Sequence, residues 1–162
     1  MPDTVGAHGR AHLRTVPASP AVRILVVANQ TATSPALIAA LQEHCSRGPV
    51  RLHLVVPALN TRLRHWVSDT DGAVSAAHRR AEDAKAVLRS QGLPVTVEVG
   101  DSVPLLAIGD ALAHFDADEI VVSTLPPKQS HWLEHDLVQL ARIRFSVPVR
   151  HVIGTDELVV AA

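Results

Sequence analysis

The sequence has a single cysteine, Cys45, among its 162 residues. One cysteine cannot form an internal disulfide, and it excludes a metal site built on several thiolates. A chain without disulfides suits a reducing compartment, so we expect a cytoplasmic protein. Cys45 lies near the end of a helical pattern, and we interpret it as a small buried side chain rather than a reactive thiol.

Long apolar runs and an excess of charge of one sign are also missing. No run approaches the roughly 20 apolar residues that a membrane helix needs, and the first apolar stretch, residues 22–28, contains Arg23. The formal net charge is -1 and the pI is about 6.8. Such a balance provides no basic field that would attract nucleic acid or an anionic membrane. We therefore expect neither of them as a partner.

The length and the composition that remain predict one compact domain. The chain is 47% hydrophobic and 19% charged, and it is too short for two ordinary domains. Residues 1–20 mix glycine, proline and charged residues without an apolar period, so we expect a flexible N-terminal arm. The folded domain is expected to cover residues 21–154, and residues 155–162 form a C-terminal tail.

Short apolar runs alternate with helical patterns along this domain. The runs interpreted as strands are residues 22–28, 51–56, 95–99, 119–123 and 147–153, and four helical patterns separate them. The first helix is expected to begin at Ser34, as N-cap, and Pro35, and to end before Gly48. Apolar strands that alternate with helices predict a parallel sheet covered on both faces, which is a doubly wound, Rossmann-like α/β fold.

Four stretches of this pattern resemble the universal stress protein family. They are RILVVANQT, VEVGDSVPLLAI, DADEIVVST and SVPVRHVI, which begin at Arg23, Val97, Asp116 and Ser146. The resemblance covers residues 22–153, and it implies five parallel strands in the order 3-2-1-4-5 with helices on both faces. It also implies a ligand crevice between strands one and four, where the strand order reverses.

The resemblance assigns candidate ligand-binding residues to both sides of this crevice. Strand one is followed by Asn29, Gln30 and Thr31, and strand four ends in Ser123 and Thr124. The rim is expected to contain Lys128 and Ser130. Free backbone amides ahead of the fourth helix favour an anion at this rim, although Ser130 also fits a helix N-cap.

The nucleotide motif of the family is not kept in this sequence. Nucleotide-binding members carry an acidic residue after strand one and the motif G-x2-G-x9-G-[ST] after strand four. These positions here hold Asn29, Ser123, Pro126, Asp136 and Leu137. Proline has no amide hydrogen to donate to a phosphate, and a carboxylate repels one. We therefore expect a degenerate nucleotide crevice without a cofactor, ATP included.

Two functions fit these features. The first is a non-catalytic, dimeric stress-response-type protein that acts through a protein partner or a bound metabolite. Its homodimer is expected to form through strand five, from Val147 to Ile153, because Pro148 suits the edge of a sheet. The second is binding of a nucleotide or a small anionic metabolite in the crevice, with weak hydrolase activity as an option. No catalytic residue is assigned, because no nucleophile stands out, and a non-enzymatic function is favoured.

Two further motifs are given structural interpretations. HWLEH, residues 131–135, matches the H-x-x-E-H pattern of a class of zinc peptidases. Its histidines are expected to point away from the apolar side of their helix, so we interpret them as surface residues and predict no metal site. RLRHW, residues 62–66, is interpreted as a surface loop because the overall charge is nearly neutral.

Overall fold

The computed structural model describes residues 19–58, 70–130, 132 and 136–154. This part of the chain forms five strands that make one parallel sheet in the order β3-β2-β1-β4-β5. The predicted fold and strand order are therefore confirmed. The elements are β1 Val22–Val27, α1 Pro35–Arg47, β2 Val50–Pro57, α2 Thr70–Ser90, β3 Val95–Gly100, α3 Pro104–Leu112, β4 Glu119–Thr124, α4 Leu137–Arg144 and β5 Val149–Ile153.

The sheet is buried on both faces, which explains why its strands are apolar throughout. In β1, Ile24 and Val26 pack into the core formed with α1 and α2, whereas Leu25 and Val27 pack into the core formed with α3 and α4. All four side chains are fully buried. Successive residues of a strand point to opposite faces, so a sheet covered twice requires apolar residues at every position of its central strand.

The helix boundaries follow local signals in the sequence. The backbone amide of Leu37 donates to Oγ of Ser34 at 3.2 Å, and Pro35 occupies the first turn of α1. Gly48 follows the helix, as predicted. Helix α2 ends at Ser90, shortly before Gly92, whose φ of 77° lies in the left-handed region that glycine adopts without strain.

Helix α4 departs from the sequence interpretation in one residue. The helical spacing of Leu137, Leu140 and Ala141 predicts that all three share the apolar side, but Leu140 is 43% exposed while the other two are buried. The buried side of this helix is centred between Leu137 and Val138. Leu140 lies beyond the edge of that side, because successive residues turn by about 100°.

Several interpreted segments lie outside the described residues. They are most of the N-terminal arm, the C-terminal tail, the RLRHW loop and HWLEH apart from Trp132. Among the helices that are described, none combines the length and the apolar character needed to cross a membrane.

Candidate functional site

A small cavity lies at the carboxyl ends of β1 and β4, where the strand order reverses. Its volume is about 60 Å³. Six of the seven predicted site residues line it, whereas Lys128 is exposed and does not. The lining consists of Asn29, Gln30, Thr31, Ser123, Thr124, Leu125, Gln129, Ser130 and Trp132.

Two buried hydroxyl groups join the two sides of the crevice. Thr31 Oγ1 and Ser123 Oγ are 2.7 Å apart, and both residues are almost completely buried. The amide of Ser34 donates to the Thr31 carbonyl oxygen at 3.0 Å and thereby holds the loop after β1 against the start of α1. The hydroxyl pair is therefore a structural link between β1 and β4 as well as part of the lining.

Asn29 uses both ends of its side-chain amide within the protein. Its Nδ2 donates to the Pro57 carbonyl oxygen at 2.6 Å, and its Oδ1 accepts from Nη1 of Arg80. Pro57 ends β2 and Arg80 belongs to α2, so Asn29 connects the loop after β1 to both elements. The residue is only 5% exposed, and its amide is committed to these internal contacts.

Thr124 connects the crevice to the edge strand β5. Its hydroxyl donates to the Leu125 carbonyl oxygen at 2.9 Å and lies 2.7 Å from Nε2 of His151. Burial, and to a smaller extent the nearby Arg142, lowers the pKa of His151 below its ordinary value. The imidazole therefore favours its neutral form, in which Nε2–H donates to Thr124.

Gly154 follows β5 and packs tightly against the start of α1. Its amide donates to the Thr124 carbonyl oxygen at 2.8 Å. A Cβ at this position would lie 2.4 Å from Ser34 Oγ and 3.4 Å from Thr31 Cβ. Only glycine leaves room for this approach, so the residue after β5 fixes the cap of α1 and the loop that lines the crevice.

One residue after β4, Asp136, has a backbone conformation that is typical of glycine. Asp136 has φ 52° and ψ 33°, and within the described ranges it is the only residue other than glycine with a positive φ. It is the residue that the resemblance aligned with the third glycine of the motif. Pro126 accepts a hydrogen bond from the Gln129 amide at 2.8 Å, which closes a turn in the segment that follows β4.

Trp132 contributes to the crevice although the sequence analysis assigned it no role. The residue is 7% exposed and lines the cavity. No acceptor in the described part of the chain bonds to its indole Nε1. The signal in the sequence was a large aromatic residue inside a polar segment, in a chain that has only two tryptophans.

A second group of polar side chains lies on the face of the sheet covered by α3 and α4. It consists of His53 in β2, Glu98 in β3 and His114 after α3. Its members are far apart along the chain, so no local motif in the sequence indicates that they meet. The available signal was His53, a polar residue within the otherwise apolar run LHLVV.

Cys45 is half-buried and packs against the core formed with α1 and α2. Burial raises the pKa of its thiol. A raised pKa disfavours the thiolate, which is the nucleophilic form, so the environment agrees with the interpretation of Cys45 as an unreactive side chain.

Solved structures share this architecture, whereas no protein-family profile and no curated protein matches the sequence. The universal stress protein from Archaeoglobus fulgidus is 17% identical, with a TM-score of 0.55 over 81% of this chain and 93% of that chain. A universal stress protein in complex with cAMP is 14% identical, with a TM-score of 0.56 over 85% of this chain and 100% of that chain.

A further match is a protein of the universal stress protein family from Burkholderia pseudomallei, which is 21% identical. Its TM-score is 0.56, and the match covers 80% of this chain and 93% of that chain. The Archaeoglobus fulgidus protein has also been solved in complex with dAMP, and this complex matches with a TM-score of 0.56 at 17% identity. The chain described above has the fold of the universal stress proteins.

Proposed function

We propose that this chain is a non-catalytic protein of the universal stress protein family, which acts as a homodimer and does not bind MgATP in its crevice. The observation that carries this proposal is the size of the crevice. Its volume is about 60 Å³, whereas pockets for small molecules usually measure about 300–1,000 Å³. A cavity of this size suits a compact polar group better than a nucleotide.

The chemistry of the lining supports the same conclusion. Thr31 and Ser123 bond to each other, and Asn29 is held by Arg80 and Pro57. No cationic side chain of the described residues lines the cavity. Pro126 lacks an amide hydrogen where the motif has glycine, and Asp136 adds negative charge. Binding of a triphosphate would therefore have to break internal hydrogen bonds, and no cation among the described lining residues would compensate for them.

Calorimetric titration with MgATP tests this part of the proposal. We expect no saturable binding with a Kd below about 1 mM, which corresponds to about 4 kcal/mol of binding free energy. Circular dichroism confirms that the protein used is folded. Micromolar binding that disappears in Thr124→Val or Lys128→Ala would contradict the proposal and favour a nucleotide-binding function.

The homodimer is proposed to form through β5, which lies at an edge of the sheet. Its residues are half-buried up to Val152, and Ile153 is 48% exposed. An edge strand offers unpaired backbone groups that a second copy can bind. The dimer is proposed to act by binding a protein partner or a metabolite. The cytoplasmic location inferred from the single cysteine stays a prediction.

Light scattering at micromolar concentration tests the dimer. We expect twice the chain mass of 17.3 kDa, and a monomer after Ile153→Asp because the charge would be buried at the interface. Leu106→Asp is the matched control, since Leu106 is 47% exposed on α3. A monomeric protein whose mass Ile153→Asp does not change would contradict the dimer.

A second candidate function is binding of a compact anionic metabolite or a small nucleotide. It is favoured by Trp132, whose buried indole N–H lines the crevice without an acceptor among the described residues. It is also favoured by the matched structures that contain cAMP and dAMP. A ligand oxygen atom that accepts a hydrogen bond from this buried donor would offset the cost of leaving it unpaired. Weak hydrolase activity remains part of this candidate, without an assigned nucleophile.

A thermal-shift screen with inorganic phosphate, AMP and cAMP tests the second candidate. A ligand that binds only the folded state raises the Tm. Trp132→Phe keeps the aromatic ring but removes the donor, so it should reduce the shift. A screen in which none of these compounds raises the Tm would leave the first function as the one supported.

A further inference from the structure

Three side chains with metal-binding atoms converge on the sheet face beneath α3. One ligand atom each from His53, Glu98 and His114 lies within 4.8 Å of the others. Glu98 Oε2 is 3.3 Å from His53 Nε2 and 2.8 Å from His114 Nε2. His53 lies in the middle of β2, whereas the crevice described above is formed at the carboxyl ends of the strands. The two regions are therefore distinct.

His53 is held in an orientation that directs one nitrogen at Glu98. The residue is 8% exposed, and its ring stacks on Phe115 with centroids 5.1 Å apart. Its Nδ1 is 2.7 Å from the Thr96 hydroxyl oxygen, and that hydroxyl donates to the Leu52 carbonyl oxygen at 3.4 Å. We accordingly assign the ring hydrogen to Nδ1, which leaves a lone pair on Nε2. A hydrogen bond at the far nitrogen is the usual support of a metal-binding imidazole.

The Nε2 atom of His53 lacks a hydrogen-bond partner within the described part of the chain. It lies 3.3 Å from Oε2 of Glu98, whose carboxylate can only accept while it is ionised. A buried lone pair that faces a carboxylate is unfavourable unless a positive charge lies between them. The geometry therefore provides a place for a cation.

The separation of His53 and Glu98 fits a four-coordinate metal ion. With metal–ligand bonds of about 2.0–2.2 Å, the ligand atoms of a tetrahedral site are about 3.3–3.6 Å apart. The separation of His53 Nε2 and Glu98 Oε2 is 3.3 Å. The shorter separation of 2.8 Å between Glu98 and His114 would have to widen, which the 54% exposed His114 side chain can follow by a change of rotamer.

We propose that His53, Glu98 and His114 form a binding site for a divalent transition-metal ion of the zinc type. Two imidazoles and one carboxylate are a donor set that zinc prefers, and they leave a fourth position for water. The ion ties the end of α3 to β2 and β3. Binding to the folded state therefore raises the stability of this side of the sheet.

Titration of the full chain with Zn²⁺ after treatment with a chelator tests the site. Calorimetry measures the affinity, and thermal melting measures the rise in Tm. His114→Ala removes a ligand and Glu98→Gln weakens one, so each should reduce the affinity at least about 10- to 100-fold, the range found when even a supporting contact is lost. Both side chains are partly exposed, and circular dichroism checks that each variant is folded.

Two control variants separate this site from other histidines. His131→Ala/His135→Ala removes the pair in HWLEH, and His78→Ala removes an exposed histidine of α2. Both should keep the wild-type affinity for Zn²⁺. The proposal is overturned if the wild-type chain binds no Zn²⁺, if the HWLEH variant abolishes binding, or if His114→Ala and Glu98→Gln bind as the wild type does.

A measurement on the unaltered chain locates the ion independently. Co²⁺ replaces Zn²⁺ in most sites of this kind, and its unpaired electrons broaden nearby NMR signals. The backbone amides of Thr96 and Phe115 should broaden, whereas those of Ser123 and Gln129 in the crevice should not. Broadening confined to the crevice, or a thiolate absorption band from Cys45, would overturn the assignment.

Discussion

The crevice between β1 and β4 and the cluster of His53, Glu98 and His114 differ in how their buried side chains are paired. In the crevice, Thr31 and Ser123 share a hydrogen bond of 2.7 Å. In the cluster, a buried nitrogen of His53 faces a carboxylate at 3.3 Å without a hydrogen bond. Both regions are lined by polar residues, yet only the second would gain from a cation. Internal pairing is therefore a better guide to ligand binding than polarity alone.

The largest expected effect concerns the packing that closes the crevice. Gly154→Ala should reduce the free energy of unfolding by about 1–3 kcal/mol, the usual cost of overpacking. The added Cβ would lie 2.4 Å from Ser34 Oγ. Urea unfolding measures the loss.

Gly109→Ala is the matched control for Gly154→Ala. Its Cβ would meet only Phe145, at the ordinary distance of 3.9 Å, and alanine favours the helix α3 by up to about 1 kcal/mol. Equal effects of the two substitutions would contradict the close contact between Gly154 and α1.

The second prediction tests the internal pairing in the crevice. Ser123→Ala should lower the free energy of unfolding by about 1–2 kcal/mol, because it leaves the Thr31 hydroxyl buried without its partner. The double variant with Ser123→Ala and Thr31→Val should lose less free energy of unfolding than the two single variants together. The difference, which is the coupling energy of the two hydroxyls, should be about 0.5–1 kcal/mol. In metal-free protein, Glu98→Gln should change the free energy of unfolding by no more than about 0.5 kcal/mol, since both side chains of its pair with His114 are partly exposed.

Denaturant titrations provide these values. They are done on the wild type, on Ser123→Ala, on Thr31→Val, on the double variant and on Glu98→Gln. Additive effects of Ser123→Ala and Thr31→Val would show that the hydroxyls do not depend on each other. A large cost of Glu98→Gln in metal-free protein would remove the contrast between the two regions.

The smallest expected effect is the pH dependence that His151 contributes. Its pKa is lowered in the folded protein from the ordinary value of 6.5. The unfolded chain therefore binds more protons below about pH 6.5, and stability decreases as the pH falls from that value toward the lowered pKa. Above pH 6.5 the contribution is constant.

His151→Gln keeps a side-chain donor near Thr124 but does not titrate. Urea unfolding between about pH 7 and pH 5 should show a shallower loss of stability in this variant than in the wild type. If the free energy of unfolding fell equally with pH in the two proteins, His151 would not be the cause of the pH dependence.

The fold could be predicted because its signals are local. Apolar strands, Ser34 with Pro35, and Gly48 each act through neighbours in the sequence. The strand order came with the resemblance, and the sheet confirms it. Leu140 was the exception, because it lies beyond the side of α4 that Leu137, Val138 and Ala141 bury.

The candidate site could be predicted only in part. The residues that line the crevice follow directly from the ends of β1 and β4, so their convergence is a property of the fold. The contact of Asn29 with Arg80 and the grouping of His53 with Glu98 and His114 depend on side chains distant in the sequence. No local pattern in a single sequence encodes such contacts.

The backbone conformation of Asp136 bears on how easily glycine could replace it. Its left-handed backbone is one that glycine adopts freely and that most other residues avoid. A change of one base in an aspartate codon produces glycine, and the path of the main chain at this position would stay as it is. Pro126 is more remote, because its ring fixes φ and its codon differs from that of glycine in two bases. Glycine at position 136 is thus one base change away, whereas glycine at position 126 requires at least two.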